Sequence, residues 1–161
     1  MQNQTLKLRP LVFSLLSSQI TWAVIMYLVR NDLDIYVAYP RPWYAPSLFI
    51  IILMFGIIFL FLGLSAYLVI SSKVSDISSS MYYYLSSFVL IFIWSVMFFK
   101  FSMLRLGMLI IILLILALLA TVLLFYTIEP LAGIFVAPAL VWIIYLAVVN
   151  GKILFLLKQM M

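Results

Sequence analysis

The chain has 161 residues, of which 69% are hydrophobic, 17% aromatic and 8% charged, with a formal net charge of +5. A water-facing domain carries roughly 25% charged residues, so this composition excludes a soluble enzyme, a disordered tail and a nucleic-acid-binding module, and leaves an integral membrane protein. The absence of Cys and His removes thiol redox chemistry, His general-base chemistry and Cys- or His-ligated metals.

Five apolar stretches follow one another along the chain, within the limit of roughly six that this length admits at about 20 residues per crossing. The first, about 10–29, is opened by Lys7 and Arg9 and closed by Arg30, Asp32 and Asp34. Its apolar core is longer than that of a secretory signal and no small-residue cleavage site follows, so it reads as a retained helix. The second, about 47–70, stops at the Ser-rich run 71–80. The third, about 81–99, ends at Lys100, and the fourth, about 104–126, ends before Glu129 and Pro130. The fifth, about 131–152, fades between Lys152 and Lys158. None alternates with period two, which disfavours a barrel. The expected fold is all-α and integral to the membrane: a five-transmembrane-helix bundle forming one domain over 1–161. Arg30, Arg41, Lys100, Arg105, Lys152 and Lys158 fall on one side of these spans, against Lys7, Arg9 and Lys73 on the other. The positive-inside rule therefore places the first loop and the C-terminus in the cytosol.

Lipid tails give helices no hydrophobic reason to associate, so small residues mark the contact faces. Ser14 with Ser18, Ser17 with Thr21, Gly133 with Ala137 and Ala147 with Gly151 are each spaced for such seams. Asn150 carries a primary amide that needs partners near a membrane helix end, and reads as glue between helices ahead of ligand contact. Every Asp, Glu, Lys and Arg lies at or near a span end, which disfavours a pump or proton-coupled transporter. Asp32 and Asp34 share a loop while Asp76 and Glu129 stand alone, so acid–base catalysis has no candidates.

Aromatic placement is more specific. The chain reads IYVAYPRPWYAPSLF from Ile35, LGLSAYLV from Leu62, WSVMFF from Trp94 and TVLLFYTIEPLAGIFVAPALVW from Thr121, with AVVN ending at Asn150. Over about residues 30–152 this resembles the TspO/MBR family, the tryptophan-rich sensory proteins that include the translocator protein or peripheral-type benzodiazepine receptor. Tyr36, Arg41, Pro42 and Pro46 fall on its first-loop motif, Gly63, Ala66 and Val69 on helix two, Trp94, Ser95, Phe98 and Phe99 on helix three, and Pro138, Trp142 and Asn150 on helix five. Ile35 and Tyr44 replace the loop tryptophans, Phe55 the helix-two tryptophan, Ile91 an asparagine and Ala139 a tyrosine, while the helix-four acid is lost at Ile110 or Ile112.

The resemblance implies a bundle that holds a hydrophobic ligand, a porphyrin or haem-type tetrapyrrole or a sterol-like lipid, beneath the first loop, acting as sensor, transporter or receptor. It implies ligand contacts at Tyr36, Arg41, Pro42, Tyr44, Phe55, Trp94, Phe98, Pro138, Trp142 and Asn150, with no obligatory cofactor and no metal. The implied partners are the lipid bilayer, the small molecule and a second copy in a homodimer. Light-dependent porphyrin breakdown, which some bacterial members perform, is the alternative; Phe55 opposes it because phenylalanine has no oxidisable indole. A membrane assembly subunit is a third reading. Physically, flat apolar ligands want aromatic walls with polar groups at the rim. The stiff loop 39–46 carries such rings, and Arg41 suits a porphyrin carboxylate. Interfacial belts by themselves account for Trp43, Tyr44 and Tyr82 to Tyr84. A cholesterol-contact motif fails in helix five, where six residues separate Tyr145 from Lys152.

Overall fold

A computed structural model describes residues 8–160, and every regular element among them is helical. They are α1 (Leu8–Val29), α2 (Asp34–Ala38), α3 (Leu48–Ile70), α4 (Ser78–Ser95), α5 (Leu104–Ile128) and α6 (Pro130–Met160), with α4 continuing through a wider π-helical turn over Val96–Lys100. Five of these are long and apolar enough to cross a membrane, and α2 sits in the first loop. Helices satisfy their own backbone groups, which hydrocarbon demands.

Local chemistry sets the ends. Extended Ser47 accepts a hydrogen bond from the Ile50 amide at 3.3 Å and caps α3. Before α4, Asp76 Oδ1 accepts from the Ser78 amide at 3.0 Å, and these hydrogen bonds hold its carboxyl below the usual carboxylate range. Extended Glu129 stops α5, and Pro130, which needs no amide donor there, opens α6. The last helix continues past 152 to Met160, because Lys152 and Lys158 stay helical while their long stems reach the interface.

The helices form a ring in which α3 packs on α1 and α6, α5 packs on α6 and α4, and thin contacts between α4 and α1 close the circle. Across the interior, α3 and α4 are joined by side chains: Phe59 meets Phe88 edge-on at 5.2 Å, and the Tyr84 hydroxyl donates to the Leu62 carbonyl at 3.1 Å. Tyr84 is therefore a core residue rather than part of an interfacial belt, unlike exposed Tyr82 and Tyr83. Phe59, Leu62, Leu114, Leu118, Phe125 and Ile143 fill the rest of the centre.

Alternate crossings put the α2 loop, the α4–α5 connection and the C-terminal end of α6 on one face of the bundle. That face carries Arg30, Arg41, Lys100, Arg105, Lys152 and Lys158; Arg9 and Lys73 lie on the other, and Lys7 is outside the described residues.

Two of the small-residue seams are tight. Ser14 and Ser18 are buried where α1 meets Gly63 of α3; a methyl on Gly63 would stand 3.1 Å from the Leu15 Cα and the Ser14 carbonyl oxygen. Ser17 and Thr21 face outward and return their hydroxyls to carbonyls of their own helix. Gly133 lies against the α5 backbone, where an added methyl would come within 2.9 Å of the Tyr126 nitrogen and Cα. Gly151 is open by comparison, with Met108 Cε nearest at 3.7 Å. Gly133→Ala should therefore cost about 1–3 kcal/mol of stability through overpacking. Thermal unfolding in one detergent checks this: the midpoint should fall for Gly133→Ala and hold for Gly151→Ala.

Candidate functional site

The first loop is built to lie still. Pro40, Pro42 and Pro46 restrict its backbone, and the short α2 turns the Tyr36 ring inward until it is 2% exposed. Prolines break regular hydrogen bonding and leave loop carbonyls in need of donors. Two tyrosines supply them: the Tyr36 hydroxyl donates to the Pro46 carbonyl at 2.7 Å, and Tyr145 of α6 reaches over to the Tyr44 carbonyl at 2.6 Å. Burial raises the Tyr36 hydroxyl pKa, outweighing the opposing pull of Arg41, so it stays a proton donor. The Arg41 guanidinium sits over the Tyr36 ring at 5.1 Å while remaining exposed.

Beneath the loop an aromatic column leads inward. Phe98 is its hub, with ring centroids 6.3 Å from Tyr36, 5.9 Å from Tyr39, 5.0 Å from Phe99 and 5.3 Å from a stacked Trp94. Trp94 continues the column to Phe55 of α3 at 6.1 Å. Phe98 and Phe99 follow Trp94 and Ser95 at a spacing of four, so two consecutive pairs of buried residues stack along one face of α4 and its π-helical continuation.

Beside Trp94 the polar accounting does not close. Trp94 Nε1, Asn150 Nδ2 and Asn150 Oδ1 are all buried with no hydrogen-bond partner among the described residues. They flank Gly107 of α5: a methyl there would lie 3.6 Å from Asn150 Nδ2 and 3.9 Å from Trp94 Nε1. Each unsatisfied group costs about 1–3 kcal/mol. Asn150 thus makes no bond between helices, and the glue expected of it from sequence is absent. Between α1, α3 and α4, bordered by Trp22, Met26, Phe55, Ile91, Ser95 and Phe99, the open space is about 10 Å³. That is at the limit for one water, against ~300–1,000 Å³ for a small-molecule pocket.

The structure brings Tyr36, Arg41, Phe55, Trp94, Phe98 and Asn150 into one cluster. Pro42 and Tyr44 are half-buried in the loop, where the Pro42 carbonyl accepts from the Ala45 amide at 3.0 Å. The Tyr44 ring meets Trp43 edge-on at 5.6 Å, and Trp43 itself is 95% exposed at the rim. Trp142 stands on the flank, half-buried 5.2 Å from Tyr145, with Nε1 buried and unpartnered. Pro138 is not in the cluster. The inward positions of α6 are Ala132, Val136, Ala139, Ile143, Leu146 and Asn150, and one residue of helix is a rotation of about 100°, so Pro138 faces outward, exposed.

Sequence reasoning missed Tyr145 and Gly107 as members of the site. Tyr145 was signalled by its position three residues after Trp142 on one helical face. Gly107, the glycine in an otherwise bulky fourth span, was signalled by its lack of a side chain.

Removing either strap should loosen the loop. Tyr36→Phe leaves the Pro46 carbonyl unsatisfied at a cost of ~1–3 kcal/mol, and Tyr145→Phe acts in the same direction. Amide hydrogen exchange over 41–47 should accelerate in both variants and stay unchanged in Trp43→Phe.

With the geometry in place, comparison with known proteins is informative at the level of the family. No individual curated protein matches the chain. A family model described as the TspO/MBR family matches residues 8–156, which takes in four spans whole, the fifth as far as residue 156, the loop and every residue of the cluster. The chain is a multi-pass integral membrane protein and belongs to the TspO/MBR family.

Proposed function

We propose that this protein binds a flat hydrophobic ligand, a porphyrin or haem-type tetrapyrrole or a sterol-like lipid, beneath its first loop and serves as a sensor or transporter of it. The observation that carries this reading is the set of unpartnered atoms on Trp94 and Asn150, buried under a strapped aromatic lid. Buried polar groups without partners are costly, and a ligand that supplies their partners recovers that cost. Column rings suit the faces of a tetrapyrrole. Arg41, exposed at the rim, suits a carboxylate on its edge.

Because the interior is filled, ligand entry displaces the rings of the column and lifts the loop. Binding then favours an open arrangement at the expense of the closed one, and loop position reports occupancy, as a sensor requires. The Lys and Arg excess on the loop face supports a cytosolic loop and C-terminus.

The test is protoporphyrin titration of the solubilised protein, read as saturable quenching of tryptophan fluorescence. Asn150→Leu is the informative variant. It should raise the thermal midpoint of the ligand-free protein by removing orphan groups, and weaken binding about tenfold by removing the anchor. A variant that is less stable and binds equally well would sink the proposal, since it would make the amide purely structural.

A further inference from the structure

A second cavity lies outside this cluster, on the same face of the bundle. It has a volume of about 830 Å³ and is formed by the start of α5 and the end of α6, with Leu104, Leu154, Phe155 and Leu157 as apolar walls and Arg105 and Lys158 among its lining residues. No carboxylate lines it, and neither cation has an ion-pair partner among the described residues. A third positive charge is held close by, with Lys152 Nζ 4.6 Å above the Phe155 ring.

Depth identifies the environment. At 1.5 Å per residue, about 20 residues cross the hydrocarbon. Counted from Pro130, the hydrocarbon ends near Asn150; counted back from Ile128, it ends near Met108. Leu154 to Lys158 and Leu104 to Arg105 therefore stand at headgroup level, with apolar walls leading down to the acyl region. A soluble anion has no use for such walls, whereas a lipid uses walls and charges together.

The geometry points to this cavity as a binding site for an anionic phospholipid of the loop-side leaflet, its phosphate between Arg105 and Lys158 and the upper part of its chains against Leu154 and Leu157. The site is independent of the ligand reading for the inner cluster, since it shares no residue with it.

Native mass spectrometry of the full chain, with phosphatidylglycerol or phosphatidylcholine added to the micelle, tests it. Phosphatidylglycerol should be retained in preference. Arg105→Gln and Lys158→Gln, both exposed and tolerant of substitution, should each weaken retention about fivefold, and the double variant roughly 25-fold. Arg9→Gln, on the opposite face, should change nothing. Equal retention of phosphatidylcholine, an unaltered double variant, an equal loss in Arg9→Gln, or displacement of the lipid by millimolar inorganic phosphate would each overturn the assignment.

Discussion

Inside a bilayer no water repairs a missing hydrogen bond, and this one constraint organises the molecule. The polar side chains within the spans mostly obey it by local means. Ser14, Ser18, Ser87, Ser95 and Thr121 turn their hydroxyls back to carbonyls of their own helices. Three others tie helices together: Gln19 of α1 to the Gly56 carbonyl at 3.3 Å, Ser65 of α3 to the Ala132 carbonyl at 2.8 Å, and Tyr84 of α4 to Leu62. Trp22 Nε1, the Tyr39 hydroxyl and Trp142 Nε1 are also buried without partners among the described residues, but at Trp94 and Asn150 three such atoms meet around one glycine, Gly107. Exceptions of this kind are retained where a second molecule or a second conformation satisfies them.

The same constraint explains the loop. A proline-rich segment at the membrane surface has carbonyls without amide partners, and they must find donors from elsewhere. Both donors are tyrosine hydroxyls, one from the loop's own short helix and one from α6. Tyrosine suits the position because its ring packs in the apolar interior while its hydroxyl reaches the interface. One consequence is that α6 carries both Tyr145, which holds the loop, and Asn150, five residues further on beside Gly107.

Much of this was legible in the sequence, and the limits are physical. Span number and approximate bounds follow from hydropathy, because hydrocarbon tolerates little else. The motif residues Tyr36, Trp94, Phe98 and Asn150 converge because the family pattern marks positions around one space. Inward and outward faces were not legible in the same way. A helix apolar all round has no polar stripe to orient it, so Pro138, exposed, and Ala139, buried, look equally eligible on paper. Nor does the sequence announce the π-helical turn at Val96–Lys100. The missing partners of Asn150 are likewise a fact of three-dimensional packing. A buried amide normally finds a neighbour, and here the neighbouring residue on α5 is Gly107, which has no side chain to offer.

A filled interior and an unsatisfied polar centre pull in opposite directions. Closing the column gains aromatic contact and excludes lipid tails, while the same closure denies Trp94 and Asn150 any partner. On the ligand reading we propose, the closed arrangement is stabilised at its walls and destabilised at its core, and a ligand that satisfies the core favours an open one. Were the core fully satisfied, opening would forfeit those hydrogen bonds as well as the ring contacts, and a ligand of modest affinity would not suffice. Were the walls absent, nothing would hold the loop down without ligand. On that reading, the combination of a strapped aromatic lid with an unsatisfied polar centre is what would make occupancy and loop position depend on one another.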